Sequence, residues 1–301
     1  MLKRATILSA AVILSIASLA HAQTALRWKL QSGQKLAISI TQTTESIVVY
    51  SGKKTATQID LSMELTWRVI SADDGKFRIE QSLDRLSVAL DSPPAGRVQY
   101  DTAQQAKPTG SAKEIAAALD PLLATKLEIT MTDRGEIVDA RPVQGSPPAA
   151  TDPASSGPVP KESIQQLLRQ PLAILPEKPV NQGGTWNSTS ELKTALGMAT
   201  QTTTYRYTGP GEVDGHKLEQ VAISAELKVA PSDKAKIKLK EHQQSGVVLF
   251  DATAGRVAST EQKQKLVTER PYRETTIVVT LDSKQKTKVV AVGDSPAAAQ
   301  P

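Results

Sequence analysis

The residue types that usually carry chemistry are scarce in this chain, and their spacing is uninformative. There is no Cys, and of three His only His216 and His242 fall beyond the first 22 residues. Neither has a second ligand at metal spacing, and no His-Glu-x-x-His occurs, so metal-assisted hydrolysis has no sequence support. Ser-x-x-Lys occurs at Ser32/Lys35, Ser51/Lys54, Ser190/Lys193 and Ser283/Lys286. The penicillin-interacting enzymes that use this pair open a buried helix with it and add a Lys-Thr-Gly strand, which is missing here. Asp73-Asp74 is an acidic pair, but neighbours on a turn point apart and the alternating acidic pattern of a calcium loop is absent. Gly183-Gly184 lacks the strand-to-helix context of a phosphate loop. The residues thus predict no catalytic group, no cofactor and no metal, and the protein is read as a non-enzyme.

One arrangement rises above the background. Lys234, Lys236, Lys238 and Lys240 alternate with Ala235, Ile237 and Leu239, and Lys284, Lys286 and Lys288 repeat the device. On strands, alternate residues share a face, so these seven would form ladders of ammonium groups. Such ladders can concentrate an anionic partner, an envelope lipid or polymer; lysines on exposed strands also guard against edge-to-edge aggregation. The net charge of +5 is too mild for a nucleic-acid binder, and two Phe, three Trp and five Tyr offer few stacking platforms for bases or sugars.

The elements that must carry these residues read as strands. Ile59, Leu61, Met63, Leu65, Trp67 and Val69 alternate with polar residues, predicting one buried face. Asp73-Asp74-Gly75 supplies a tight turn into Phe77, Ile79 and Leu83. The apolar set then shifts to Leu86, Val88 and Leu90, which predicts a bulge near Asp84-Arg85. Leu36, Ile38 and Ile40 alternate likewise. Leu127, Ile129 and Met131 lead through Gly135 to Ile137, and Val247 and Leu249 lead through Gly255 to Val257. Two short helices are expected: one opened by a Ser111–Glu114 capping box and kinked at Pro121, the other from Lys161 to Gln170. The fold class is mainly β, with long antiparallel strands in two similar halves and the two helices, as a curved sheet or half-barrel.

Residues 1–22 have a cationic start, an apolar stretch and Ala20-His21-Ala22, the pattern of a cleavable export signal. Residues 23–143 form an N-terminal β half, 144–160 a Pro-rich linker or loop, 161–290 a C-terminal β half and 291–301 a loose tail. The halves share Thr66-Trp67-Arg68-Val69 before Asp74-Gly75 and Thr204-Tyr205-Arg206-Tyr207 before Asp214-Gly215, each followed by a Glu-Gln pair.

Three stretches carry a family likeness: Leu26-Arg27-Trp28-Lys29-Leu30 with Gly33 and Lys35; Asp91 to Pro94 with Tyr100-Asp101; and Leu175-Pro176-Glu177-Lys178-Pro179-Val180 with Gly183 and Trp186. On these the chain resembles an uncharacterised family of exported, β-rich bacterial proteins of unknown function. The resemblance implies export and an all-β build and brings no catalytic residue with it. The expectation is an exported, non-catalytic envelope protein, periplasmic or extracellular, that binds or supports, docking to anionic surfaces through its lysines. Two alternatives stand beside it: a periplasmic amphiphile or lipid carrier, in which a curved sheet cups an acyl chain, and a hydrolase working through carboxylates that folding brings together.

Overall fold

The computed structural model describes residues 23–93, 96–104, 107–143, 168, 170, 172–194, 197–230 and 237–292. Its elements are β1 (Lys35–Tyr50), β2 (Lys53–Asp73), β3 (Lys76–Ser92), β4 (Gly96–Asp101), α1 (Ser111–Leu123), β5 (Leu127–Thr132), β6 (Ile137–Pro142), β7 (Thr185–Thr194), β8 (Gly197–Val213), β9 (His216–Val229), β10 (Lys238–Asp251), β11 (Arg256–Tyr272) and β12 (Thr275–Ala291). All twelve strands belong to one antiparallel sheet, ordered β6-β5-β3-β2-β1-β12-β11-β10-β9-β8-β7, with β4 added beside β3. Each half is a meander, and the pairing of β1 with β12 fuses the two into one continuous surface.

Bonds from the N-terminal segment establish how strongly this sheet curls. Trp28 N donates to Asp133 O in the β5–β6 turn (2.8 Å), and the next residue, Lys29 N, donates to Gly255 O in the β10–β11 turn (2.8 Å). On a flat sheet β5 and β10 would be about 29 Å apart, six spacings of about 4.8 Å. Successive residues lie only about 3.8 Å apart. The sheet must therefore roll until the two turns flank one strap of chain. A second strap, residues 172–180, joins the two edges. Leu175 N donates to Arg134 O (2.8 Å) beside β6, while Trp186 Nε1 on β7 donates to Ile174 O (2.8 Å). The result is a half-barrel closed at one end by straps rather than by strand pairing.

The closed end holds the core. Leu26, Trp28, Leu30, Leu36, Ile38, Met63, Trp67, Ile79, Ile129, Leu175, Val248, Phe250, Val257 and Val289 belong to one buried cluster. Trp28 sits at its centre, 6.2 Å from the Trp67 ring and 6.4 Å from Phe250. The alternation expected for β1, β2, β3 and β5 is the one that is buried, and the register slips by one residue at Asp84, where the bulge was expected. In β10 the parity is the reverse of the expected one: Val248 and Phe250 are buried, while Val247 is 40% exposed. The run Val247–Phe250 is apolar throughout, so its composition carries no parity, and the aromatic ring takes the core side.

The helix spans Ser111–Leu123, but its N-cap is Gly110 and no side chain caps it, so the Ser111–Glu114 box does not form. Pro121 lies inside the last turn and the helix runs two residues past it. The expected second helix falls almost wholly outside the described residues; Leu168 alone of its apolar face is described, helical and buried. The export signal and the Pro-rich segment also lie outside them. The tail was expected from residue 291, yet Ala291 pairs with Leu36 and Val292 N donates to Lys35 O, so β12 extends further.

The two halves repeat one another in detail. Gly33 N donates to Val69 O and Val69 N to Gln34 O; in the second half Gly183 N donates to Tyr207 O and Tyr207 N to Gly184 O. A bulge follows at once in each, at Ile70 and at Thr208. The hairpin turns match, with Asp74-Gly75 and Asp214-Gly215 all at positive φ. A second pair of bulges, at Val138 and Ala258, follows the Gly135 and Gly255 turns. Hairpins resemble one another in general, but four irregularities in the same order identify a structural duplication.

Candidate functional site

Away from the closed end the inner face of the sheet changes character, and the register places its residues in rows. The row Met63–Ile40–Thr287–Thr260–Val248–Val221–Tyr207 is the last of the core, with both threonines buried. One row outward come Gln42, Gln285, Gln262, Gly246, Ile223 and Tyr205, and then Thr44, Ser283, Gln264, Gln244, Ala225 and Thr203. Further out lie Ser46, Leu281, Leu266 and His242, then Val48, Val279 and Thr268, and finally a rim with Tyr50, Ile277 and Arg270. A band of amides and hydroxyls thus lies between the apolar core and an apolar mouth.

Hydrogen bonds order this band. Gln42 Nε2 donates to Thr44 Oγ1 (3.1 Å), which pairs with Ser283 Oγ (3.0 Å). Gln244 Nε2 donates to Gln262 Oε1 (3.0 Å), and Gln264 Nε2 lies 3.1 Å from His242 Nε2. Two buried atoms remain without a partner, His242 Nδ1 and Gln244 Oε1. Burial pushes the His242 imidazole below its usual pKa, so it is neutral at neutral pH. Gly246 belongs to the same surface by register, and it lies so close to β11 that a Cβ there would stand 2.3 Å from Glu261 O. The band therefore has a position with no side chain between Gln244 and Val248.

The two halves differ in what covers this face. The first carries β4 and α1 between β3 and β5, and α1 packs across β3 and β4 with Ile115, Ala116, Leu119 and Leu122 buried. The Tyr100 hydroxyl donates to Asp120, and Arg85 clamps Asp101 through Nε (3.1 Å) and Nη2 (2.8 Å), holding that carboxyl below its usual pKa. In the second half β9 passes to β10 across residues 230–237, and no described helix lies over β8–β10. Thr203, Ala225, Leu227, His242, Gln244, Gln264 and Leu266 are half-buried, lining a trough.

Of the expected lysine site, Lys234 and Lys236 lie outside the described residues. The other five share the outer face but form two groups. Lys238 is level with Glu269 of β11 and Val278 of β12, six residues short of Lys284. Lys240 pairs with Glu269 (3.4 Å) and Lys286 with Glu261, while Lys284 faces Lys263 across the strands. The carboxyls of Glu80, Asp101, Glu128 and Glu261 all sit below their usual range through hydrogen bonds and charge from Lys or Arg, opposed by burial, which is the largest single influence at Glu80. No described group of His, Asp or Glu is arranged to hold a metal. The acid pair that a carboxylate hydrolase needs is not seen on the inner-face rows. Sequence reasoning missed the trough because its signal is a lack of pattern: Gln, Thr and Ser where the apolar alternation of each strand lapses.

No family model matches the chain, and no curated protein matches it significantly. Among solved structures it is similar to lipovitellin, in a study of its lipid–protein interactions, with TM-score 0.51 and 15% identity. The chain spans 27% of the length of that one, over 91% of its own. An outer membrane channel from Pseudomonas putida F1 aligns over 87% of this chain and 97% of its own at 7% identity, with a TM-score of only 0.23. A DUF1329 family protein from Desulfovibrio piger aligns over 82% and 83% at 10% identity and 0.13. The first likeness is one of fold; the other two superpose too poorly to support a shared fold.

Proposed function

We propose that this is an exported, non-catalytic bacterial envelope protein that binds an amphiphile in the trough of its second half. The observation that carries the reading is the asymmetry between the repeats: one inner face is filled by α1, and its counterpart is left half-buried and lined by apolar and uncharged polar side chains. Concave, mostly apolar surfaces with a few convergent polar groups are where small molecules bind. Hydrocarbon would lie along Val48, Leu266, Val279 and Leu281 toward the mouth, with polar groups on the band. The lipid–protein interactions described for lipovitellin, on a similar fold, support the same reading by analogy. The leader-like residues 1–22 support export, and the outer-face lysines would hold the protein against an anionic envelope surface.

The test is occlusion. Ala225→Trp fills the trough without removing any hydrogen bond. Mature protein and variant would be titrated with a fluorescent acyl probe, their folding compared by circular dichroism and thermal midpoint. Loss of binding by a folded variant supports the reading; equal binding by both proteins overturns it.

A further inference from the structure

We propose that the polar band selects amphiphiles with an uncharged, hydrogen-bonding head, the esters and hydroxyls of a neutral glycerolipid, over those with a carboxylate or phosphate. The inference rests on the lipid-binding reading and adds the chemistry of the head group. It starts from the inner-face rows between the core and the rim, where the side chains of β1 and β8–β12 include amides, hydroxyls and one imidazole but no charge. Cations stand on the outer face or at the rim, as Lys263, Lys284, Lys286 and Arg270 do. An anion drawn into the band would lose its hydration and meet no cation, a large cost. A neutral head loses far less and can recover its hydrogen bonds.

The unpartnered atoms say what those bonds would be. Gln264 Nε2 is an amide donor, so His242 Nε2 accepts and the imidazole proton sits on Nδ1, a buried donor with nothing to donate to. Gln244 gives its amide nitrogen to Gln262, which leaves Oε1 as a buried acceptor. The two residues are two apart on β10 and face the same way, so the unpartnered donor and acceptor both belong to the lining of the trough. An ester carbonyl beside a free hydroxyl is the complement: the carbonyl accepts from His242 Nδ1 and the hydroxyl donates to Gln244 Oε1.

The experiment uses the mature full chain and compares dioleoylglycerol, oleate and dioleoyl phosphatidic acid as competitors of an uncharged fluorescent diacylglycerol. A pyrene-labelled hydrocarbon serves as a head-free probe. The expected result is that dioleoylglycerol competes at least tenfold better than either anion. In His242→Phe/Gln244→Leu that preference should fall about tenfold, the worth of two modest hydrogen bonds, while the hydrocarbon probe binds as before. Equal or tighter binding of oleate by the native protein overturns the proposal, as does a variant that keeps the preference. Failure of the hydrocarbon probe to bind the native protein would instead remove the lipid-binding reading itself. Gln244→Glu gives a second readout, because a carboxylate still accepts but should repel both anions and leave the neutral lipid bound.

Discussion

Trp28 and Trp67 are almost equally buried, at 2% exposure each, and their rings are neighbours, yet replacing each by Phe should have different consequences. Trp67 Nε1 donates to Gln81 Oε1 at 2.7 Å, and Gln81, 4% exposed, is fixed by its own bond from Nε2 to Leu168 O at 3.1 Å. Trp28 Nε1 is buried and has no partner. Both substitutions lose similar apolar surface, costing about 1 kcal/mol at roughly 25 cal/mol per Å². Trp67→Phe also leaves a buried carbonyl oxygen without a donor, adding about 1–3 kcal/mol. Trp28→Phe removes a donor that nothing satisfied, which offsets part of its area loss. The expected order is Trp67→Phe less stable than Trp28→Phe by about 1–3 kcal/mol, read from urea midpoints at constant m-value. Trp67→Phe/Gln81→Leu should regain only a little, since it removes the orphaned acceptor but also takes the donor from Leu168 O. Equal destabilisation by the two single substitutions would refute the reasoning, because it would mean that the Trp67–Gln81 bond contributes nothing beyond packing.

Gly255→Ala should loosen the closed end: φ there is +62° and the new Cβ would stand 2.3 Å from Lys29 Cβ, so a loss of about 1–3 kcal/mol with easier proteolysis of residues 23–34 is expected. The imidazole of His242 is harder to protonate folded than unfolded, so its stabilising contribution is complete above the unfolded pKa of about 6.5 and declines as pH falls below it; His242→Gln should remove that part of the decline in urea midpoints between pH 7.5 and 5.5. The depressed carboxyls of Asp101 and Glu128 act lower, their contribution being complete above the unfolded carboxylate range and lost as pH falls through their folded values, so Asp101→Asn should flatten the acid limb of the stability profile. Lys284→Gln/Lys288→Gln should weaken salt-sensitive co-sedimentation with anionic vesicles about tenfold or more, whereas adding Lys286→Gln should change little, since Glu261 already holds that ammonium.

Where the chain alternates strictly, its structure was legible. β2 shows its buried face in alternate residues from Leu61 to Val69, and the odd-to-even switch after Leu83 placed the bulge near Asp84-Arg85, where the extra residue is Asp84. Asp-Gly pairs located two hairpin turns, because few other dipeptides tolerate positive φ twice in succession. Legibility ended where interactions are remote. Nothing local in Trp28-Lys29 says that one residue binds Asp133 and the next Gly255, 105 and 226 positions away. The five described lysines of the pattern face one way, but register decides which of them stand level, and register is set by the pairing of β10 and β12 with β11.

The duplication explains why the trough lies in the second half. Both repeats roll their sheet by the same devices, a strand-end bridge at Val69 or Tyr207, a bulge beyond it, and a second bulge after a glycine turn. Two such units fused edge to edge present two equivalent inner faces, each too apolar to stand fully in water. The first solves the problem internally: α1 buries Ile115, Leu119 and Leu122 over β3, and Tyr100–Asp120 and Arg85–Asp101 pin the insertion in place. The second instead carries Gln, Thr and Ser along the middle of β10–β12, which lowers the cost of leaving the face half-covered. A face built for permanent contact is apolar with its few polar groups satisfied, as on β3, where Gln81 is held by Trp67 and by Leu168 O. One that is polar in a band, uncharged, and holds an unpartnered donor and acceptor is suited to contact that is made and broken, which is the contact the proposed amphiphile would make.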